Sequence, residues 1–214
     1  NALDELDDDK LSDTFHDWKK TIRRKRGIHY HAIHTGSQIA VGDPRISLDV
    51  LGPRLEKVAR NRLAYRWFGD TPHTINGHSV VIRLACDNVS FLLPGDLNGK
   101  GSKYLMEDET LAGSMNAHVL KAPHHGSHEY YRRWLDAVNP QITVISSGDD
   151  PDHGHPRANF IGGVGNASRS REPLIFSTEI AANFKDIDDD LRDIALSEQE
   201  LEALDDGTLR KLRT

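Results

Sequence analysis

The sequence predicts an α/β fold in which a sheet presents its chemistry from loops at one end. Three observations carry this expectation. Short apolar runs of strand length alternate with segments of helical spacing. Three of the runs are followed directly by a cluster bearing histidine or carboxylate, and Gly or Pro stands in each cluster, where the chain must leave the strand. The clusters are Gly95-Asp96, Pro123-His124-His125-Gly126-Ser127 and His153-Gly154-His155-Pro156. Metal sites are assembled this way from loops at a sheet end, so the chain reads as part of a metal-dependent hydrolase.

Taken in order, Leu11, Phe15, Trp18 and Ile22 have helical spacing, with Ser12 or Asp8 as cap and the Lys19 to Arg26 cations at the end that suits them. Ile28 to His34 and Ile46 to Leu51 read as strands separated by Gly36 and the Gly42-Asp43-Pro44 turn. Leu55, Ala59, Leu63 and Trp67 recur every fourth residue and predict a helix whose other faces carry Arg54, Lys57, Arg60, Arg62 and Arg66. Ser79 to Ala85 and Ser90 to Leu93 form a hairpin around Asp87-Asn88 that delivers Asp96. Ala117 to Ala122 is a strand ended by Pro123, followed by a helix over Glu129 to Val138 and a strand over Ile142 to Ser146. Pro156 fits the first position of a further helix, and Leu174 to Phe176 and Ile180 to Phe184 read as last strands. Ser197 and Glu200 have capping-box spacing for a tail helix. The expected organisation is a connector and helix over 1–27, the main body over 28–184, and an acidic linker with tail helix over 185–214.

A net charge of −6 argues against a wholesale nucleic-acid scaffold, although residues 4–9 are acidic and 19–26 basic, so local patches matter more than the total. The single Cys86 cannot form an intrachain disulfide and suits a reducing compartment. No apolar run reaches membrane-spanning length, and a cytoplasmic protein with no membrane partner is expected. No internal repeat or low-complexity segment is visible.

The order strand-Gly-Asp, strand-Lys-x-Pro-His-His-Gly-Ser, strand-loop-Gly-His-Pro resembles the second half of a metallo-β-lactamase fold. More narrowly, it resembles the hydrolase domain of the ComEC family of competence DNA-uptake proteins and its soluble relatives. The matching stretches are residues 49–53 (DVLGP), 76–84 (NGHSVVIRL), 91–97 (FLLPGDL), 120–127 (LKAPHHGS) and 154–156 (GHP), within roughly residues 46–180. The resemblance implies the C-terminal half of an αββα sandwich, with Asp96 as a ligand bridging two divalent metal ions, zinc or manganese, and His155 as a ligand of the second. It implies that His124 or His125 contacts the scissile phosphate or protonates the leaving group; Lys121 and Ser127 are plausible phosphate contacts by charge and hydrogen bonding.

The family's principal metal motif, His-x-His-x-Asp-His, has only a partial counterpart here. Residues His29 to His34 have the three histidines in register but Ile33 where the aspartate belongs, and their alternation reads as a strand with His29 and His31 on one face. The expectation is therefore that an N-terminal half of the fold, on another chain or a cleavage product, completes the site, with a processing protease as a possible further partner. Exposed acidic residues at the start fit a cleavage site.

The expected activity is a phosphodiesterase, foremost a nuclease cleaving DNA by a two-metal hydrolytic mechanism, in a setting such as antiviral defence. The alternatives are a small phosphoester (phosphorylcholine-type) esterase and an inactive fold used for partner binding. Asn76 and His78 read equally as ligand-orienting or as turn residues, His153 as lining its loop, and His16, His73, His118 and His128 as structural or surface residues.

Overall fold

The computed structural model describes residues 12–25, 31–58, 62–148 and 154–179. In chain order the elements are α1 (Asp13–Arg24), β1 (Ile46–Gly52), β2 (Glu56–Val58), β3 (Arg62–Ala64), α2 (Thr71–Gly77), β4 (Val81–Cys86), β5 (Val89–Leu93), α3 (Gly99–Leu105), α4 (Glu109–Ser114), β6 (Val119–Lys121), α5 (Arg132–Val138), β7 (Ile142–Ile145), α6 (Ala158–Ala167) and β8 (Leu174–Ser177). Six strands form one mixed sheet in the order β1-β4-β5-β6-β7-β8, and β2 and β3 make a separate hairpin. The chain is thus a mixed α/β protein. β1, β4 and β5 pair antiparallel, whereas β5, β6, β7 and β8 run parallel.

The strand alternation sorts the sheet into two faces. Leu92, Leu120 and Ile145 point to the buried face, where they join Leu105 of α3, Trp134, Leu135 and Val138 of α5 and Phe160 and Val164 of α6 in one core. The opposite face is also apolar, because register places Leu84 beside Phe91 and Val144 beside Phe176. Its large residues remain in contact with water: Val89, Leu93, Val144, Leu174 and Phe176 are 38–55% exposed.

Several expectations hold. Ser12 caps α1, accepting from the Phe15 amide, and the β4–β5 hairpin turns at Asp87. Others are corrected. Residues 56–58 and 62–64 pair as the β2–β3 hairpin where the spacing predicts a helix, and residues 65–68 belong to no helix or strand. His31 to His34 form no strand; the chain turns at Thr35-Gly36, with φ +83° at Gly36, and touches the sheet edge through a bridge between Gln38 and Asp49, a bond from the Gly36 amide to the Val50 carbonyl and one from Thr35 Oγ1 to the Leu51 carbonyl. Pro156 precedes α6, whose N-cap is Arg157, instead of occupying its first position. The opening connector, His29, His153, the Ile180 to Phe184 strand and the tail helix lie outside the described residues.

The two faces should respond differently to substitution. Leu120→Ala opens a cavity in the packed core and should cost about 2–5 kcal/mol, while Val144→Thr, which keeps the branched shape on the open face, should cost less than about 0.5 kcal/mol. Urea unfolding midpoints of the 214-residue chain measure both.

Candidate functional site

Parallel strands end together, so the loops after β5, β6 and β7 emerge at one edge of the sheet. That edge gathers the residues the sequence singled out. After β5, Gly95 turns with φ +58°, and a Cβ there would lie 3.2 Å from the Ser79 Cβ, so both conformation and space call for glycine. The Asp96 amide then donates to Ser79 Oγ at 3.1 Å. Asp96 is thereby fixed at its backbone while its carboxylate stays half exposed.

After β6 the chain makes a tight turn with three consecutive positive φ values: +44° at His124, +55° at His125 and +81° at Gly126. Left-handed backbone at non-glycine residues costs roughly 1–3 kcal/mol each. It is held by neighbours on both sides. The His124 amide donates to the Gly95 carbonyl at 3.1 Å, and Lys121 Nζ donates to the same carbonyl at 3.3 Å. The Arg157 amide donates to the Gly126 carbonyl at 2.9 Å, and a Cβ on Gly126 would come within 2.9 Å of the Pro156 Cβ, so the His155-Pro156 loop sits directly on this turn.

Two histidine environments result. His125 Nδ1 donates to the Ser146 carbonyl, at the end of β7, at 2.6 Å, which directs Nε2 toward Asp96 Oδ1 at 3.6 Å. His124 instead meets the His155 ring edge-on, with centroids 5.6 Å apart. Burial pushes the Lys121 ammonium below its ordinary value, against the opposing pull of the Asp96 carboxylate. Ser127 is buried; its hydroxyl accepts from the Glu129 amide at 3.3 Å, giving it a turn-holding role besides its place at the pocket wall.

A pocket of about 340 Å³ lies beside this edge, walled by His73, Asn76, Asn98, His124, Glu129 and His155 among others. Asn98 is buried and caps α3 through Gly101 while donating to the His73 carbonyl at 2.9 Å, which ties α2 to α3. His73, expected to be structural or superficial, stands between two carboxylates. Its Nδ1 is 2.6 Å from Asp70 Oδ2 and its Nε2 is 3.2 Å from Glu129 Oε1. Hydrogen bonds to Asp70 and then Glu129 raise its pKa. Sequence offered one signal, Asp70 as an N-cap; the partner Glu129 is distant in the chain and carried none. His78 belongs to an aromatic cluster with Tyr65, Phe68 and Tyr104, and burial lowers its pKa. Of the cations expected on the Leu55 to Trp67 helix, Arg66 is engaged with Glu56 and Glu107 at 3.1 and 2.9 Å and lies over the Tyr104 ring.

The donor types at the sheet edge, one carboxylate oxygen and imidazole nitrogens, are those that hold zinc or manganese. The His125 arrangement matches a ligand imidazole, whose second nitrogen is held by a carbonyl. In number the set is partial: among the described residues no group of three or more His, Cys, Asp or Glu converges on one point.

The fold and this edge define an α/β protein with a carboxylate and histidines on the loops after its parallel strands. No family model matches the chain. It is similar to ComE operon protein 3 of Bacillus subtilis (strain 168), at 23% identity over 139 residues, which are 64% of this chain and 16% of that protein. The chain therefore spans about a sixth of that relative's length. No described helix is long and apolar enough to cross a membrane.

The Asp70–His73 pair predicts a pH signature. NMR titration should find His73 above its ordinary 6.5, and Asp70→Asn should bring it down. The stability contributed by His73 should be complete below about pH 6.5 and lost as pH rises through the raised value, whereas that of Asp70, whose pKa is lowered chiefly by the His73 amide, should be lost as pH falls below 3.8 through the depressed value.

Proposed function

We propose that this chain is the C-terminal half of an αββα metallo-β-lactamase sandwich and works as a metal-dependent phosphodiesterase, a nuclease cleaving DNA. The observation that carries the reading is the aim of His125. With Nδ1–H given to the Ser146 carbonyl, its Nε2 and the Asp96 carboxylate face one another 3.6 Å apart. Both groups are 46% exposed, and such an ion pair is worth at most about 1 kcal/mol. That pair alone does not offset two strained residues at roughly 1–3 kcal/mol each; the bonds to Gly95, Ser146 and Arg157 hold the turn, and what they hold is an imidazole aimed at a carboxylate.

Asp96 with His125 beside it, and separately His155 against His124, would each contribute ligands to divalent metal, and a second polypeptide segment would complete the sets. A divalent ion there supplies a Lewis acid for the phosphoryl oxygen and a nucleophile at neutral pH. This chain's own residues do the rest. His124, against His155 at the pocket wall, is placed to meet the phosphate or to hand a proton to the departing oxygen. Lys121, half-buried behind Gly95, offsets phosphate charge at the edge.

The open apolar sheet face supports the half-fold reading. A contiguous face of Leu84, Phe91, Leu93, Val144, Leu174 and Phe176 fits a second layer, and exposed apolar patches of this kind mark interfaces. The completing half would lie on another chain or a processed segment, in the cytoplasm.

With zinc or manganese supplied and the complementary half present, linear DNA should be cut, and Asp96→Asn or His124→Ala should each lower turnover roughly a hundredfold or more. Asp96→Asn should also lose metal by elemental analysis, while His124→Ala should retain it. Hydrolysis of a phosphocholine ester with DNA left intact would replace the nuclease reading by the esterase one.

A further inference from the structure

We infer that the β2–β3 hairpin and the segment leaving it form a stacking platform for single-stranded nucleic acid, directed into the pocket beside His124. The inference deepens the phosphodiesterase reading and rests on it for its purpose. Leu63, Tyr65 and Trp67 alternate along this segment and are 53%, 55% and 63% exposed. Lys57 pairs with Leu63 across the hairpin and so shares its face, and Arg62, paired with Val58, is exposed on the other face at the first position of β3, within reach of a backbone passing the hairpin's edge.

The chemistry of this patch differs from that of the open sheet face. The sheet face is almost wholly aliphatic apart from its phenylalanines and suits protein packing. The hairpin combines ring faces with cations. Within residues 54–66, Arg54, Lys57, Arg60, Arg62 and Arg66 stand against one acid, Glu56, in a chain of net charge −6. Rings that stack on bases and cations that meet phosphates are what single-strand binding requires. Bases in a duplex are already stacked on each other and cannot use such a platform.

The platform is braced from behind. Arg66 and Arg54 lie over the Tyr104 ring, at 3.9 and 4.7 Å from its centroid, and Arg66 also binds Glu107. Tyr65 and Phe68 both contact the His78 ring, at 4.8 and 4.9 Å, and Lys100 Nζ donates to the Phe68 carbonyl at 2.7 Å. Arg54 and Arg66 are therefore structural, and among the described residues of the hairpin Lys57 and Arg62 serve as the phosphate contacts. From Trp67 the chain passes through Gly69 to α2, whose His73 and Asn76 wall the same pocket as His124 and His155. A strand stacked on Trp67 would be delivered to that pocket.

The test is fluorescence anisotropy of the 214-residue chain with a short labelled oligothymidylate in EDTA, where binding is read apart from hydrolysis. Trp67→Ala and Tyr65→Ala should each weaken binding roughly tenfold, and Trp67→Phe should restore most of it. The Lys57→Ala/Arg62→Ala double variant should flatten the log-log salt slope by about 1.4. A duplex of equal length should bind more weakly and ignore Trp67→Ala; an oligouridylate that responds as the DNA does supports the platform and extends it to RNA. Unchanged oligothymidylate binding in Trp67→Ala, or equal affinity for the duplex, overturns the platform even if metal-loaded protein cuts DNA. Conversely, the expected binding losses with no cleavage in zinc or manganese leave the platform standing and remove the hydrolase reading.

Discussion

The Gly95 carbonyl is the point on which the candidate site depends. It accepts from the His124 amide and from Lys121 Nζ, so the loop after β5 and the loop after β6 are tied at one oxygen. Parallel pairing brings the ends of β5, β6 and β7 to the same edge, but pairing alone does not orient the loops beyond those ends. The turn does. Bonded to Gly95 on one side and, through Gly126, to Arg157 on the other, the turn at His124 and His125 is held in its left-handed backbone. Each neighbouring loop thus stabilises the conformation of the next.

The sheet poses a second constraint, in energy instead of geometry. Burying a large aliphatic or aromatic side chain contributes about 1.5–3 kcal/mol, and the helix-covered face collects this from Leu92, Leu120, Trp134 and Phe160. The other face has the same kind of residue on its central strands and on β8 and leaves them half in water. An antiparallel sheet with one solvated face would carry polar residues there. The sequence of β4 to β8 instead reads as strands meant to be buried on both sides.

Much of this is legible from residue order. The three strand-loop clusters, the β4–β5 hairpin and the capped α1 follow from alternation, turn residues and caps. The β2–β3 hairpin reads as a helix for a definite reason: a spacing of four fits a helix, but it is also even, so Leu63 and Trp67 fall on one side of an alternating chain as readily. Tyr65 between them breaks the tie, since Leu63, Tyr65 and Trp67 alternate while no helix places all three on one side. α2, α3 and α4 escape because helices of six or seven residues show too little periodicity, although Asp70, Asn98 and Asp108 each supply the cap. The site's motif residues are visible in the sequence; the bonds that orient them are not, because Ser146 is 21 residues from His125 and Glu129 is 56 from His73.

Those bonds decide what each histidine does. His73 faces carboxylates from both ring nitrogens, which favours the doubly protonated ring and raises its pKa, so the cation spans α2 and the segment before α5 at pH below that raised value. Two carboxylates and one imidazolium leave a net negative charge there, which makes the triad a brace and a poor phosphate contact. His125 faces a neutral carbonyl from Nδ1, which fixes that proton and leaves Nε2 with a choice. It can take a proton and pair with Asp96, or keep its lone pair and share a cation with it. The same imidazole chemistry favours the charged ring in one place and leaves a donor open in the other, and the difference lies in whether the second partner is a carboxylate or a peptide carbonyl.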